Sequence, residues 1–285
     1  MIQVKDLTYR YHNGFTALSD VNCTIESGIH LLLGENGAGK TTFLHILAGL
    51  RKPTQGSCLV NGEAPSLRLP STMAQLFIYT DNMLLPCKNI MEYTRSHAQF
   101  YPTFSMDVLK ECLQEFGMTG EEPLASLSFG NRRKAQIAYV IALNTNILLL
   151  DEPANGLDIT AKQALRRLLA RFVGPEQAVL ISTHTVSDLE SLFDTLTVIH
   201  RGNLITSLPV WQITERLAFR SNMMPPEESL YCEQEQGLFR YIERASDKGN
   251  PTGINYQLLY NALLSPQGDI INQILNTPGH DNNEL

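Results

Sequence analysis

The sequence predicts an α/β fold with a mostly parallel central sheet, on three observations. Short apolar runs typical of buried parallel strands alternate with segments of helical periodicity. One run, 29–33, leads into a glycine-rich stretch and then into a helical pattern. Another run, 147–150, ends in Asp151-Glu152, and open α/β sheets bind ligands at the carboxyl ends of their strands. We therefore expect a ligand site where these strands end.

Composition limits the class of protein. The 285 residues are enough for one large domain and a smaller appendage. The net charge of −7 argues against a nucleic-acid partner, because nucleic-acid binders usually carry a basic surplus. The five cysteines show no C-x-x-C spacing, which predicts neither a disulfide framework nor a zinc site. Without a signal peptide or an apolar run of ~18 residues, the chain is expected to be cytoplasmic and to reach a membrane only through another subunit.

The elements are assigned in chain order from their periodicity and turn residues. Predicted strands are 2–9, 17–25, 29–33, 57–60, 76–80, 147–150, 178–182, 196–200 and 203–206, and predicted helices are 41–47, 90–99, 106–116, 130–143, 160–172 and 186–192. An N-terminal antiparallel β subdomain is expected beside the core sheet, and residues 88–143 are expected to form a helical subdomain.

We place a domain boundary after residue 208, where the periodic pattern weakens. A small α+β extension follows at 209–276, with a helix at 211–219, two strands within 230–244 and helices at 256–264 and 270–275. Residues 277–285 are expected to be a disordered tail. The extension could assist dimerisation, regulate the chain, contact a partner, or simply pack as an appendage.

The stretch 34–41 fits the phosphate-binding pattern G-x-x-x-x-G-K-[ST] at every position. Its glycines allow backbone N–H groups to face phosphate oxygens, and the helix that follows adds partial positive charge. Lys40 supplies a charge for the β- and γ-phosphates, and Thr41 is placed to ligate Mg²⁺. The predicted nucleotide contacts here are Gly34, Asn36, Gly37, Ala38, Gly39, Lys40, Thr41 and Thr42. The chain is therefore predicted to bind a nucleoside triphosphate.

Asp151-Glu152 supplies the other half of a phosphate site. Asp151 can hold Mg²⁺ beside Thr41, and Glu152 can polarise an attacking water. Tyr11 precedes the second strand, and the residue alone fits either a packed turn tyrosine or a surface on which a purine stacks.

Leu127-Ser128-Phe129-Gly130-Asn131, followed by two arginines, resembles the signature motif L-S-G-G-Q-R of ABC-type ATPases. It stands shortly before the Asp-Glu strand, as in that family. Asn155-Gly156-Leu157-Asp158 resembles the family's D-loop, and Ser182-Thr183-His184 its switch histidine. Pro53, Gly56 and Gly62 also recur. The resemblance covers about residues 2–208.

The resemblance implies a head-to-tail dimer that holds each ATP between one chain's phosphate loop and the other chain's signature segment. Ser128 and Gly130 would reach the γ-phosphate across that interface, and Asp158 is counted among the nucleotide contacts. His184 would sense or hold the γ-phosphate, as a catalytic residue with Glu152 and Lys40. Tyr11 falls where the family's adenine-stacking aromatic residue sits. Arg132 and Arg133 are expected to be solvated helix charges.

Two departures from the family pattern matter. Phe129 and Asn131 replace a glycine and the glutamine of the signature, while its serine and second glycine remain. The glutamine that the family carries after the strand at 76–80 is absent, because the chain there reads Tyr79-Thr80-Asp81-Asn82. Either Asp81 or Asn82 could take its place as a Mg²⁺ or water contact.

The function implied is that of the ATPase subunit of an export-type transporter. The chain would act as a homodimer or a heterodimer with a second ABC ATPase, on integral membrane permease subunits, at the inner face of the cell membrane. One alternative is an ABC ATPase of a soluble assembly, such as a cofactor-assembly scaffold. Another is a module that senses ATP without hydrolysing it.

Overall fold

The computed structural model describes residues 1–184, 186–187, 189–245 and 252–277. The chain forms two compact units, Met1–Leu204 and Ile205–Leu285. The domain boundary expected after residue 208 falls inside the strand that runs through this junction, Asn203–Pro209. The tail expected at 277–285 lies outside the described residues except for Thr277.

The elements follow the predicted order closely. The strands are β1 Ile2–Arg10, β2 Thr16–Ile25, β3 Gly28–Leu33, β4 Gln55–Val60, β5 Leu76–Tyr79, β6 Ile147–Asp151, β7 Ala178–Thr183, β8 Thr195–His200, β9 Asn203–Pro209, β10 Leu217–Asn222, β11 Tyr231–Glu235 and β12 Leu238–Arg244. The helices are α1 Lys40–Leu47, α2 Pro70–Met73, α3 Ile90–His97, α4 Met106–Glu115, α5 Phe129–Ala142, α6 Ile159–Phe172, α7 Val210–Arg216, α8 Tyr256–Leu263 and α9 Gly268–Asn276.

A six-stranded sheet carries the strands on which the site is built. Its order is β5-β6-β7-β3-β8-β9, and β5, β6, β7, β3 and β8 pair in parallel. Every residue of β6 and β7 is buried, which explains why these strands are nearly continuous apolar runs in the sequence. A two-residue turn joins β8 to β9, so this last pair is antiparallel. The mostly parallel sheet is confirmed.

An antiparallel sheet of order β2-β1-β4 shares a core with α1 and the large sheet. Leu18 of β2, Phe43 of α1 and Leu180 of β7 belong to one buried cluster. Truncating a buried phenylalanine such as Phe43 to alanine typically costs about 3–5 kcal/mol. The strand β3 and the helix α1 that flank the phosphate loop are therefore fixed by packing on both sides of that loop.

The helical subdomain contains α3, α4 and α5, and each helix begins at a side chain that caps it. Asn89 accepts from the Glu92 backbone N–H at 2.8 Å. Ser105 and Ser128 accept from the third residue after them, each at 3.3 Å. Such caps satisfy an N–H group that lacks a partner within the helix. Helix α5 therefore starts at Phe129, directly after Ser128, rather than at Gly130.

The second unit departs from one prediction. Residues 211–219 were expected to form a single helix, but α7 ends at Arg216 and Leu217 begins strand β10. β10 pairs with β12, Leu217 opposite Arg244, in a sheet of order β10-β12-β11. Pairing with a distant strand overrode the local helical periodicity. The two strands predicted within 230–244 are present, and Gln236 and Gly237 between them both have positive φ, as a tight hairpin turn requires.

Two smaller differences lie in the first unit. The helix predicted at 186–192 is only a 3₁₀ turn at Glu190–Leu192 among the described residues, and 185 and 188 are not described. A 3₁₀ turn at Pro65–Leu67 and the short helix α2 were not predicted. Both begin at a proline, whose fixed φ and missing N–H suit the first helical position.

Candidate nucleotide-binding and active site

The carboxyl ends of β3, β6 and β7 open into a cleft of about 700 Å³. The structure brings most of the predicted site residues to this cleft. Those that line it are Tyr11, Asn36, Gly37, Gly39, Lys40, Thr41, Thr42, Asp81, Asn82, Asp151, Glu152 and His184. Tyr11 and His184 are 173 positions apart in the sequence, and both line this cleft.

The phosphate loop has a conformation that depends on its glycines. Gly37 and Gly39 have φ values of 81° and 113°, in the region that only glycine adopts readily. A Cβ on Gly39 would stand 2.7 Å from the Ala17 carbonyl oxygen. A Cβ on Gly34 would stand 2.4 Å from the Ile199 carbonyl oxygen, so close packing explains that glycine. The loop is therefore held in place from behind.

Lys40 is buried and folds back across its own loop. Its Nζ donates to the carbonyl oxygens of Gly34 at 2.6 Å and Glu35 at 3.2 Å. Burial lowers the pKa of Lys40 below its ordinary value, and the nearby carboxylates of Glu152 and Asp151 oppose that shift. The ammonium group is thus held at the mouth of the loop with little water around it, where its charge acts strongly on an anion.

Thr41 and Asp151 form a candidate magnesium site. The Thr41 hydroxyl donates to Asp151 Oδ2 at 2.8 Å, and the Ser182 hydroxyl donates to Asp151 Oδ1. A hydroxyl oxygen and a carboxylate oxygen side by side are ligands that Mg²⁺ prefers, the remaining positions being filled by water and phosphate. These residues fit the ion: Thr41 and Asp151 would hold it, and it would neutralise charge on the phosphates.

Glu152 stands in a strained position that points it into the cleft. Its φ is 50°, in the left-handed region that non-glycine residues rarely adopt. Its backbone N–H donates to the Ser182 carbonyl oxygen at 3.0 Å. Its Oε1 lies 2.8 Å from His184 Nδ1 and 3.9 Å from Lys40 Nζ. The carboxylate is therefore oriented by an imidazole on one side and an ammonium group on the other.

Tyr11 belongs to an aromatic wall of the cleft. Its hydroxyl group is hydrogen-bonded to that of Thr42 at 2.9 Å. The Arg51 guanidinium lies 4.9 Å from its ring centroid, and the Phe15 ring is stacked at 6.3 Å. Phe15 also lines the cleft although 59% of its surface is exposed, and it was missed from sequence. An exposed aromatic residue four positions after Tyr11 was the available signal.

Five of the predicted contacts are not among the described residues that line the cleft: Gly34, Ala38, Ser128, Gly130 and Asp158. Ser128 caps α5, and Asp158 caps α6 by accepting from the Ala161 N–H at 2.8 Å. That hydrogen bond, followed by one from Lys134, holds the pKa of Asp158 below its ordinary value. In a single chain Ser128 and Asp158 therefore stabilise helix starts.

Arg133 was expected to be a solvated helix charge, and that expectation is wrong. Its side chain is 3% exposed, whereas Arg132 is exposed. The Arg133 guanidinium donates to the Asn155 carbonyl oxygen at 2.7 Å and lies 2.6 Å from Asp81 Oδ1. Buried arginine is normally paired, and here both partners belong to loops far from it in sequence.

The fold and the cleft define a P-loop nucleoside triphosphatase, with a glycine-rich loop, an aspartate hydrogen-bonded to Thr41 and an adjacent glutamate. Comparison with known proteins narrows the class. The family model for ABC transporters matches residues 18–155. The energy-coupling factor transporter ATP-binding protein EcfA of Methanothermobacter thermautotrophicus is 30% identical over 79% of this chain and 77% of its own length. The chain belongs to the family of ABC transporter ATP-binding proteins.

Other relatives differ in length and in named role. The nucleoside import ATP-binding protein NupA of Lactococcus lactis is 27% identical over 76% of this chain, and the chain spans only 45% of its length. A solved ATP-binding subunit of an ABC transporter superposes with a TM-score of 0.66 and 25% identity, over 75% of this chain and 91% of that one. The ATP-binding cassette MJ0796, a dimer in a post-hydrolysis state with ADP and Pi, shares the fold at a TM-score of 0.64 and 21% identity, over 73% and 98%.

The chain is therefore the ATP-binding subunit of an ABC transporter, and it binds and hydrolyses ATP with Mg²⁺. Two of these relatives, NupA and the arabinose protein AraG, are named as import ATP-binding proteins, so similarity alone does not assign export. Within the described part of the chain, no helix has the length and apolar character needed to cross a bilayer.

Proposed function

We propose that two ATPase chains close head to tail around two ATP molecules, and that this closure drives integral membrane permease subunits. The second chain is another copy of this one or a related ABC ATPase. The observation that carries the proposal is the cleft itself, in which the Thr41–Asp151 and Glu152–His184 pairs flank Lys40. Ser128 and Gly130 stand outside it and are available to a second chain.

In this proposal each residue of the cleft has a separate task. Lys40 and the N–H groups at the start of α1 bind the β- and γ-phosphates. Glu152 accepts a proton from the water that attacks the γ-phosphate, a role typically worth about 100- to 10,000-fold in rate. His184 Nδ1, 2.8 Å from Glu152 Oε1, keeps that carboxylate oriented. Tyr11 and Phe15 provide aromatic surface for the adenine ring.

Hydrolysis then weakens the closed dimer and returns the permease to its other state. We further propose that transport is export and that the subunit sits at the inner face of the cell membrane, bound to its permease. The match with this chain spans 77% of the length of EcfA, which supports a transporter subunit made as a separate chain. The match spans only 45% of the import protein NupA, which is a much longer chain.

The test of the catalytic assignment is Glu152→Gln, which keeps the shape of the side chain and removes its basicity. We expect ATP binding to persist, phosphate release to fall by about 100- to 10,000-fold, and a long-lived dimer to form with ATP. Gel filtration with light scattering and a phosphate-release assay measure both effects. Glu176→Gln, at an exposed position, is the control. A Glu152→Gln chain that still hydrolyses ATP at the parental rate would remove Glu152 from this role.

The test of the partner is affinity purification of the tagged chain from native membranes in mild detergent. We expect an integral membrane protein to be recovered with it. Recovery only in a soluble complex would instead support the scaffold alternative. Uptake or release of solute by vesicles containing that complex would then give the direction of transport.

A further inference from the structure

Arg133 connects three segments that are distant in sequence. It is buried on α5, shortly after the helix begins at Phe129. Its Nη1 donates to the Asn155 carbonyl oxygen at 2.7 Å, and its Nη2 lies 2.6 Å from Asp81 Oδ1. Its guanidinium also lies 4.6 Å from the centroid of the Phe129 ring. The planar group thus contacts the loop after β5, the turn after β6 and the start of α5.

Two of these three contacts are residues that line the cleft, Asp81 and Asn155. The Asn155 N–H donates to the Glu152 carbonyl oxygen at 3.2 Å, so Asn155 belongs to the turn that begins at Glu152. Arg133 is not among the described residues that line the cleft. It acts on the cleft from behind, through the two loops it holds.

The chemistry of this position favours arginine over lysine. A guanidinium presents several N–H donors in a fixed plane, and it can pair with a carboxylate and a carbonyl in different directions. Lysine supplies a compact charge that cannot reproduce both contacts while also stacking on an aromatic ring. The Arg133–Asp81 pair is half exposed at Asp81 and buried at Arg133, so removing Asp81 leaves a buried charge with one fewer partner.

Two buried polar atoms beside this pair have no hydrogen-bond partner among the described residues: Arg133 Nε and the Tyr79 hydroxyl oxygen. Tyr79 is the last residue of β5, directly before the loop that carries Asp81. Unsatisfied buried polar groups are rare in proteins, and each calls for an explanation such as strain, a catalytic role or a bound water.

We propose that Arg133 is a positioning residue for ATP hydrolysis. It holds Asp81 and the Asn155 backbone in the cleft that also contains Glu152, and it ties both to the start of α5 at Phe129. The inference rests on the proposed roles of the cleft residues.

The experiment compares Arg133→Met, Arg133→Lys and Asp81→Asn with Arg166→Met, at an exposed arginine on α6. Because a shift of about 1 Å in a reaction centre can cost about 100-fold, we expect Arg133→Met to lower kcat by about 100-fold. The KM for ATP and the affinity for ATP without Mg²⁺ should stay within about two-fold, since the phosphate loop is untouched. Arg133→Lys should not rescue kcat, and Arg166→Met should behave as the parent.

A double mutant tests whether Arg133 acts through Asp81. Residues that work as a pair give non-additive effects, so Arg133→Met with Asp81→Asn should be no slower than the slower single mutant. Fully additive losses would overturn the inference, as would a parental kcat in Arg133→Met. If Arg133→Met does not fold, Asp81→Asn decides alone, because its side chain is half exposed, and a parental kcat there overturns the inference.

Failure of the proposed catalytic assignment looks different. In that case Glu152→Gln would hydrolyse ATP normally, whatever the Arg133 variants do. Failure of the present inference would leave Glu152→Gln inactive and Arg133→Met active.

Discussion

The phosphate-loop side and the signature side of the first unit differ in how far a single chain assembles them. On the phosphate-loop side the functional groups already contact one another, as in the pairs Thr41–Asp151 and His184–Glu152. On the signature side, within the described residues, the Ser128 hydroxyl accepts from the Asn131 N–H at the start of its own helix, at 3.3 Å. Phe129 beside it is 61% exposed.

This difference indicates what a second chain would supply. In the proposed function the phosphate-loop side would bind nucleotide and metal by itself, because its donors and acceptors are preorganised. The signature side presents an exposed serine at a helix N-terminus, which is suited to an anion. Arg133 joins the two sides within one chain, through Asp81 and Phe129.

The largest effect is expected from removing the charge of the phosphate-loop side. Lys40→Met should lower kcat/KM by about 1,000-fold, because it removes a preorganised donor from the phosphates. Steady-state kinetics and fluorescent-nucleotide binding measure this loss. Lys52→Met, at an exposed lysine, is the control. Equal losses in both variants would show that the cleft charge has no special role.

The signature side should respond to Ser128→Ala with a smaller loss, of about 10-fold to 100-fold in kcat, and with unchanged nucleotide binding by the single chain. The chain offers a matched control in Ser105→Ala, because Ser105 caps α4 with the same 3.3 Å hydrogen bond. Each substitution should lower helix stability by about 1 kcal/mol. Only Ser128→Ala should lower ATP hydrolysis. A similar loss of activity in Ser105→Ala would mean that capping, not phosphate contact, explains the effect.

The smallest effect is expected in the pH dependence of stability, and it concerns β3, the strand that leads into the phosphate loop. His30 on β3 is buried, its Nε2 is 2.9 Å from the Glu26 carbonyl oxygen, and burial lowers its pKa below the ordinary value. The unfolded chain therefore binds a proton more readily than the folded chain. The contribution of neutral His30 to the free energy of unfolding should be fully present above a pH of about 6.5, and it should be lost as the pH falls below that value.

Thermal unfolding of the parent and of His30→Gln, between pH values of about 5 and about 8, measures this effect. Glutamine can keep the hydrogen bond to Glu26 without titrating, so the variant should lose stability less steeply at low pH. Identical pH slopes in the two proteins would show that His30 does not contribute.

The phosphate-loop side was also the part of the site that the sequence predicted best, because its chemistry depends on neighbours in the chain. The apolar run at 147–150 indicated a buried strand ending at Asp151, and the glycine pattern indicated a loop before α1. A continuous apolar run predicts a strand well when that strand is covered on both faces, because burial then requires apolar residues at every position.

The features that were missed depend on contacts between distant residues. Arg133 is buried because Asp81, 52 positions earlier, pairs with it, and no local pattern contains that pairing. Strand β10 forms because β12 lies beside it, although residues 211–219 have helical periodicity. Phe15 was overlooked because a single exposed aromatic residue carries no motif.

The most direct test of the central claim, that neither chain has a complete reaction centre, is to mix two inactive variants. Lys40→Met disables the phosphate-loop side, and Ser128→Arg blocks the signature side at an exposed position. A mixed dimer would contain one intact site, so an equal mixture should recover up to roughly a quarter of the parental ATPase rate, while each variant alone stays inactive. A Ser128→Arg chain with the parental rate, or a mixture no more active than its components, would contradict the account.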